Sequence, residues 1–160
     1  MIQPIEKQGE TMLRGIDSLL TGDLLKILQD MGHGDELVLA DRNFPAESVA
    51  RHTVSGKLIR DEGVGAVRMA QAIFSVFPLD SFVEAPIKHM QATGKPEEVL
   101  DVHNDILRVA REAEANQHLR MGPIERFAFY EAAKKAYAVV ACGETRPYGC
   151  FLLKKGVIFD

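Results

Sequence analysis

Cysteine is scarce in this chain: there are two, Cys142 and Cys150, in 160 residues. They have no CxxC spacing and no nearby histidine, which argues against a zinc site. A basic surplus is missing too. Nineteen Lys and Arg face 23 Asp and Glu, for a formal charge of -4. No run of positive residues exists to neutralise phosphates, so the chain is not read as a nucleic-acid binder. No apolar run is long enough to span a bilayer, so no membrane role is expected. The first residues, MIQPIEKQGETML, lack a basic segment followed by an apolar one and do not read as a secretory leader. With only two thiols, the expected setting is reducing and cytoplasmic. Walker loops, GxGxxG fingerprints, nucleophile elbows, repeats and low-complexity tracts are absent as well.

What is present suits a globular α/β domain. Hydrophobic residues make up 46% and charged residues 26%, enough apolar content to bury a core. Residues 1–12 are polar and aperiodic and read as a flexible N-terminal extension; 13–160 read as one domain. A helix is expected from Ser18 or Thr21 to Met31, with Leu24, Leu25, Ile27 and Leu28 on its apolar face. ELVLA at 36–40 reads as a buried strand and DRNFP at 41–45 as a turn. A short turn or helix at 46–50 and a strand at 57–60 follow. Residues 64–77 read as a helix apolar nearly all round, a pattern that suggests a subunit contact. Residues 82–90 suggest a strand bent at Pro86. A long helix begins near Pro96, with Val99, Val102, Ile106, Ala110 and Ala113 as its buried stripe. Gly122-Pro123 reads as a break, 124–127 as a short strand, and 129–135 as a helix. Strands are expected at 137–142 and 150–153, with an antiparallel pair joined by the Gly143–Tyr148 loop as one arrangement open to them. The alternation predicts a mostly parallel central sheet flanked by helices.

The stretch Gln29–Pro45 draws attention for chemistry. His33 lies between two glycines, which free the backbone and keep bulk off the imidazole. Imidazole is the side chain that exchanges protons most readily near neutrality. A glycine-rich helix cap that merely contains a histidine is an equally good reading of the same residues. Asp41 closes the ELVLA strand at the end where open α/β sheets place ligand groups. It can bind a polyol, or reach His33 across a folded-back loop, or simply form the turn. His33, Asp35 and Asp41 make a weak metal set, with no two-histidine spacing to support it. Arg126 precedes an aromatic cluster, FAFY, and can hold hydroxyls through its fork of donors. Tyr148 and Gly149 sit in a Pro-Tyr-Gly loop where a phenol and close backbone approach are available. His52, His89, His103 and His118 read as surface or structural residues, and neither cysteine reads as an activated nucleophile.

Together, MGHGDELVLAD at 31–41, NFPAES at 43–48, RFAFYEAAKKA at 126–136 and TRPYGCFLLKKGV at 145–157 resemble the RbsD/FucU family of sugar mutarotases, most closely its fucose branch. The resemblance covers nearly the whole chain after Met12. It implies interconversion of the α and β anomers of L-fucose or a related aldose, with no cofactor and no metal. A self-assembled ring, typically a decamer, is implied as well. By resemblance His33 is the catalytic acid/base, and Asp41, Arg126, Tyr148, Gly149 and Cys150 bind the monosaccharide. Cys150 stands where the family has asparagine, so a weak thiol replaces an amide if that side chain is used. A ribose pyranase and a sugar-binding module without turnover are the alternatives.

Overall fold

The computed structural model describes residues 12–160, so the expectation for residues 1–11 lies outside the described residues. The elements run α1 (Gly22–Asp30), β1 (Glu36–Ala40), α2 (Ala46–Ala50), β2 (Leu58–Asp61), α3 (Ala66–Phe74), β3 (Ile87–Met90), α4 (Asp101–Glu114), β4 (Met121–Ile124), α5 (Arg126–Lys134), β5 (Ala138–Cys142) and β6 (Phe151–Lys154). Among the described residues the sheet has six strands in the order β2-β5-β1-β6-β3-β4. Neighbouring strands are parallel except where β6 lies antiparallel between β1 and β3. The expected single-domain, mostly parallel α/β architecture is therefore what forms.

The two-residue period of a strand divides the core. Leu37 and Leu39 of β1 join α1, α3 and α4 on one face, with Leu24, Met69, Ile73, Val102 and Ile106. Val38 and Ala40 join α2 and α5 on the other, with Phe44, Val49, Phe129 and Ala133. Both faces are covered, which is why ELVLA carries no polar alternation. Leu39 is fully buried, and Leu39→Ala should cost about 2–5 kcal/mol.

Several boundaries differ from the expectations. The apolar helix α3 is covered by its own chain: Ala66, Met69, Ala70, Ala72, Ile73 and Phe74 are all buried against α4 and the sheet. Its composition reflects burial within the chain, so it is no evidence for a subunit contact. Gly122-Pro123 does not break the chain but lies inside β4, an edge strand, where a missing N–H costs least. No strand spans 124–127, because α5 already begins at Arg126, capped by Glu125 accepting from Phe127 N and Ala128 N. Helix α4 starts at Asp101 rather than near Pro96, leaving Val99 exposed, and Ala113 also faces solvent. The last two strands are not partners: β1 lies between them.

Candidate functional site

Asp41 leaves the C-terminal end of β1 in a side-chain-closed turn. Its Oδ1 accepts from Asn43 N at 3.0 Å, and its carbonyl from Phe44 N at 3.3 Å. The loop from β5 to β6 folds over this turn, with Arg42 N donating to Glu144 O at 3.1 Å. Glu144 is buried and accepts from Ala66 N at the start of α3, where Gly65 has no side chain to cap the helix. Arg146 donates to Glu144 at 2.9 Å and to Asp105 of α4 at 2.8 Å. Those bonds hold the Glu144 carboxyl below the usual range despite burial, which pulls the other way. Gly149 packs so closely that a Cβ would stand 2.9 Å from Glu144 Cγ. Glycine there is a matter of room.

These contacts bring Asp41, Arg126, Tyr148 and Cys150 around a cleft of about 140 Å³, with Phe44, Met90 and Tyr130 as apolar walls. Arg126 Nε donates to the Tyr130 hydroxyl at 3.3 Å, and its guanidinium lies 5.3 Å and 5.8 Å from the ring centres of Phe127 and Tyr130. The Tyr148 hydroxyl donates to Thr93 Oγ1 at 3.2 Å, and the hydrogen bonds that the Thr93 side chain and backbone can give the phenolate lower its pKa below the ordinary phenol value. Cys150 is buried beside Asp41, and burial drives its thiol well above the usual range; Cys142 is pushed up to about 11. Both stay protonated, so neither offers a thiolate. A larger cavity, about 360 Å³, lies on the other side of Asp41 and is lined by Arg42, Arg60, Glu62 and Thr145. Arg126, Tyr148 and Cys150 line the smaller one, and Asp41 lines both.

His33 is elsewhere. It precedes β1, whereas Asp41 follows it, and at about 3.3 Å per residue the strand alone separates them by about 16 Å. The folded-back contact between Asp41 and His33 does not form, and His33, Asp35 and Asp41 do not converge as a metal set. Among the described residues no cluster of three or more His, Cys, Asp or Glu side chains is placed to hold a metal ion. Gly34 takes a positive φ of 88°, and its N–H donates to Lys155 O at 2.9 Å. The Lys155 ammonium in turn donates to the carbonyls of Leu28 and Met31 at the end of α1. His33 itself meets Asp80, its Nε2 lying 3.1 Å from Oδ1. Asp80 is 3% exposed, and the same oxygen accepts from Phe82 N at 3.0 Å. With Oδ1 as acceptor, Nε2 carries the proton and Nδ1 is left for other work. Phe82 lies 5.3 Å from the imidazole centre and 6.1 Å from Phe159, and both phenylalanines are exposed.

Asp80 was not singled out from sequence. Its one outward sign is a carboxylate straight after Pro78-Leu79, where the apolar helix stops; its partner is 47 residues away. His89 and His103 hold as structural residues, both buried.

The arrangement is that of a single-domain α/β protein with a polar cleft at the carboxyl ends of parallel strands, suited to a small hydroxylated ligand. The chain belongs to the RbsD / FucU transport protein family, whose model matches residues 14–158. It is 43% identical over 147 residues to an L-fucose mutarotase of Actinobacillus pleuropneumoniae serotype 5b, covering 91% of this chain and 97% of that one. A fucose mutarotase of Danio rerio is 44% identical over 155 residues, covering 92% and 95%. The crystal structure of the fucose mutarotase of Streptococcus pneumoniae in complex with L-fucose superposes with a TM-score of 0.80 at 37% identity, covering 92% and 100%.

Proposed function

We infer that this protein is a mutarotase that interconverts the α and β anomers of L-fucose. The observation that carries the reading is the Asp41–Arg126–Tyr148 cleft, formed by a chain that matches fucose mutarotases over nine-tenths of its length. Asp41 accepts from sugar hydroxyls, Arg126 donates to them, the Tyr148 oxygen accepts from one while its own hydrogen goes to Thr93, and the apolar walls pack on the C–H face of the ring. Gly149 lets the backbone approach the ligand, and Cys150 closes the floor.

Mutarotation opens a cyclic hemiacetal and recloses it on the other carbonyl face. The ring oxygen gains a proton and the anomeric hydroxyl loses one; closure reverses both. His33 is the acid/base, working through Nδ1 while Asp80 holds Nε2–H and stabilises the imidazolium. No C–H bond breaks and no oxidation state changes, so His33 and water suffice for the proton traffic.

One chain does not bring His33 to the cleft, and 140 Å³ falls below the roughly 300–1,000 Å³ of ligand pockets. A second copy completes the site by laying its His33 end, with exposed Phe82 and Phe159, over the first copy's cleft. Repeated head to tail, that contact closes a ring. The proposed state is a homo-oligomeric ring, a decamer if two five-membered rings stack, acting in the cytoplasm.

Saturation-transfer NMR of the anomeric protons tests the activity with L-fucose, D-ribose and D-galactose in turn. Fastest exchange with L-fucose is expected. Faster exchange with D-ribose would replace the reading by a pyranase, and binding without exchange would replace it by a sugar-binding module.

A further inference from the structure

Tyr148 adopts a φ of +59°, a conformation that side-chain-bearing residues rarely keep unless their surroundings enforce it. Its carbonyl is held from the far side of the sheet. His103, on α4 and 0% exposed, places Nε2 2.9 Å from Tyr148 O. The tautomer is fixed by the other nitrogen: Nδ1 accepts from Leu100 N at 3.1 Å, so Nε2 carries the hydrogen and donates. The ring is clamped in turn. His89 of β3 lies 3.9 Å away, centre to centre, tilted by 33°, and Phe151 meets it edge-on at 5.9 Å. His89 reaches the same cleft, its Nδ1 donating at 3.4 Å to the carbonyl of Met90, a cleft wall whose own N–H donates to Cys150 O. Two stacked, buried imidazoles thus lie beneath the cleft, and each is bonded to the backbone of a residue lining it.

We propose that His103, braced by His89, is a positioning residue that locks the Tyr148 backbone in its left-handed conformation and so presents the phenol to the sugar. The proposal rests on the reading of the Tyr148 cleft as the sugar site. Burial favours the neutral form of both rings, as a fixed donor requires. The Arg146 tie to Asp105 fastens the same loop to the same helix, so α4 grips the loop at two points.

Two substitutions separate this role from mere filling of the core. His103→Asn keeps an acceptor near the Nδ1 position for Leu100 N–H and deletes the donor to Tyr148. His103→Gln can extend an amide N–H to the Tyr148 carbonyl. The expected result for His103→Asn is a KM for L-fucose raised about threefold, no more than loss of the phenol itself would cause, with kcat within about twofold of the parent. It should also speed hydrogen exchange across 143–150. His103→Gln should return both toward the parent values. Equal KM and equal exchange in the two variants would overturn the proposal. Should His103→Asn not fold, His89→Ala leaves both His103 bonds but frees the ring to tilt: a raised KM with kcat kept supports the brace, and an unchanged KM overturns it. If the parent protein turns over no sugar, the functional reading fails, while the hydrogen-exchange comparison still decides the tie.

Discussion

At the N-terminal end of β1, His33 stands half exposed beside one buried carboxylate and two exposed phenylalanines. At the C-terminal end, Asp41 is buried in a cleft assembled from the ends of β1, β3 and β6 and the start of α5. The first end is chemically equipped and spatially open. The second is shaped to hold something but has no imidazole among its lining residues. On the proposed function, proton transfer and substrate binding fall to opposite ends of one strand, and each half needs the other.

The largest expected effect strikes the first end only. His33→Ala should slow anomer exchange about 10²- to 10⁴-fold, the usual weight of a general acid/base. L-fucose affinity by calorimetry should change far less, since the cleft is intact. Equal losses of binding and turnover would break the division. Asp80→Asn should slow exchange about 10- to 100-fold by loosening the imidazole and removing the partner of its charged form. Mixing assemblies of His33→Ala with Asp41→Asn, after dissociation and reassociation, should restore about a quarter of the parent activity if each site takes one residue from each copy. No recovery would place both residues' work within a single copy.

Acid should act on the second end. Burial and the neighbouring His103 lower the pKa of His89 to about 4, and burial lowers that of His103. Below about pH 6.5 the unfolded chain binds protons that these rings refuse, so stability is full above 6.5 and falls as pH drops toward 4. The loss from His89 is on the order of 2 kcal/mol once solvent screening is allowed for. It is readable as a falling melting temperature, and His89→Phe should flatten the slope. Tyr148→Phe should have the smallest effect, raising KM roughly 3- to 10-fold through one lost hydrogen bond.

Much of this was legible along the chain. ELVLA announced a strand buried on both faces, and the Thr21 cap and the Leu24, Ile27, Leu28 spacing announced α1, whose Leu24 N does donate to Thr21 Oγ1 at 3.3 Å. Asp41, Arg126, Tyr148 and Cys150 were named from sequence and share one cleft. What escaped was non-local. Asp80 matters because of a histidine 47 positions earlier, and His103 because of a carbonyl 45 positions later. Local pattern carries no trace of either. The apolar stretch of α3 misled for the related reason that composition does not say what will cover it. A helix packed against α4 and the sheet looks the same in sequence as one awaiting another subunit.

Pro123 in the outermost strand has a consequence for solubility. An open sheet edge invites other chains to dock strand upon strand, the route to fibres. Here the edge register carries a residue with no N–H to offer, next to a glycine with no side chain to stack. An incoming strand would find its ladder interrupted at mid-length. Growth by sheet extension is hindered at this border.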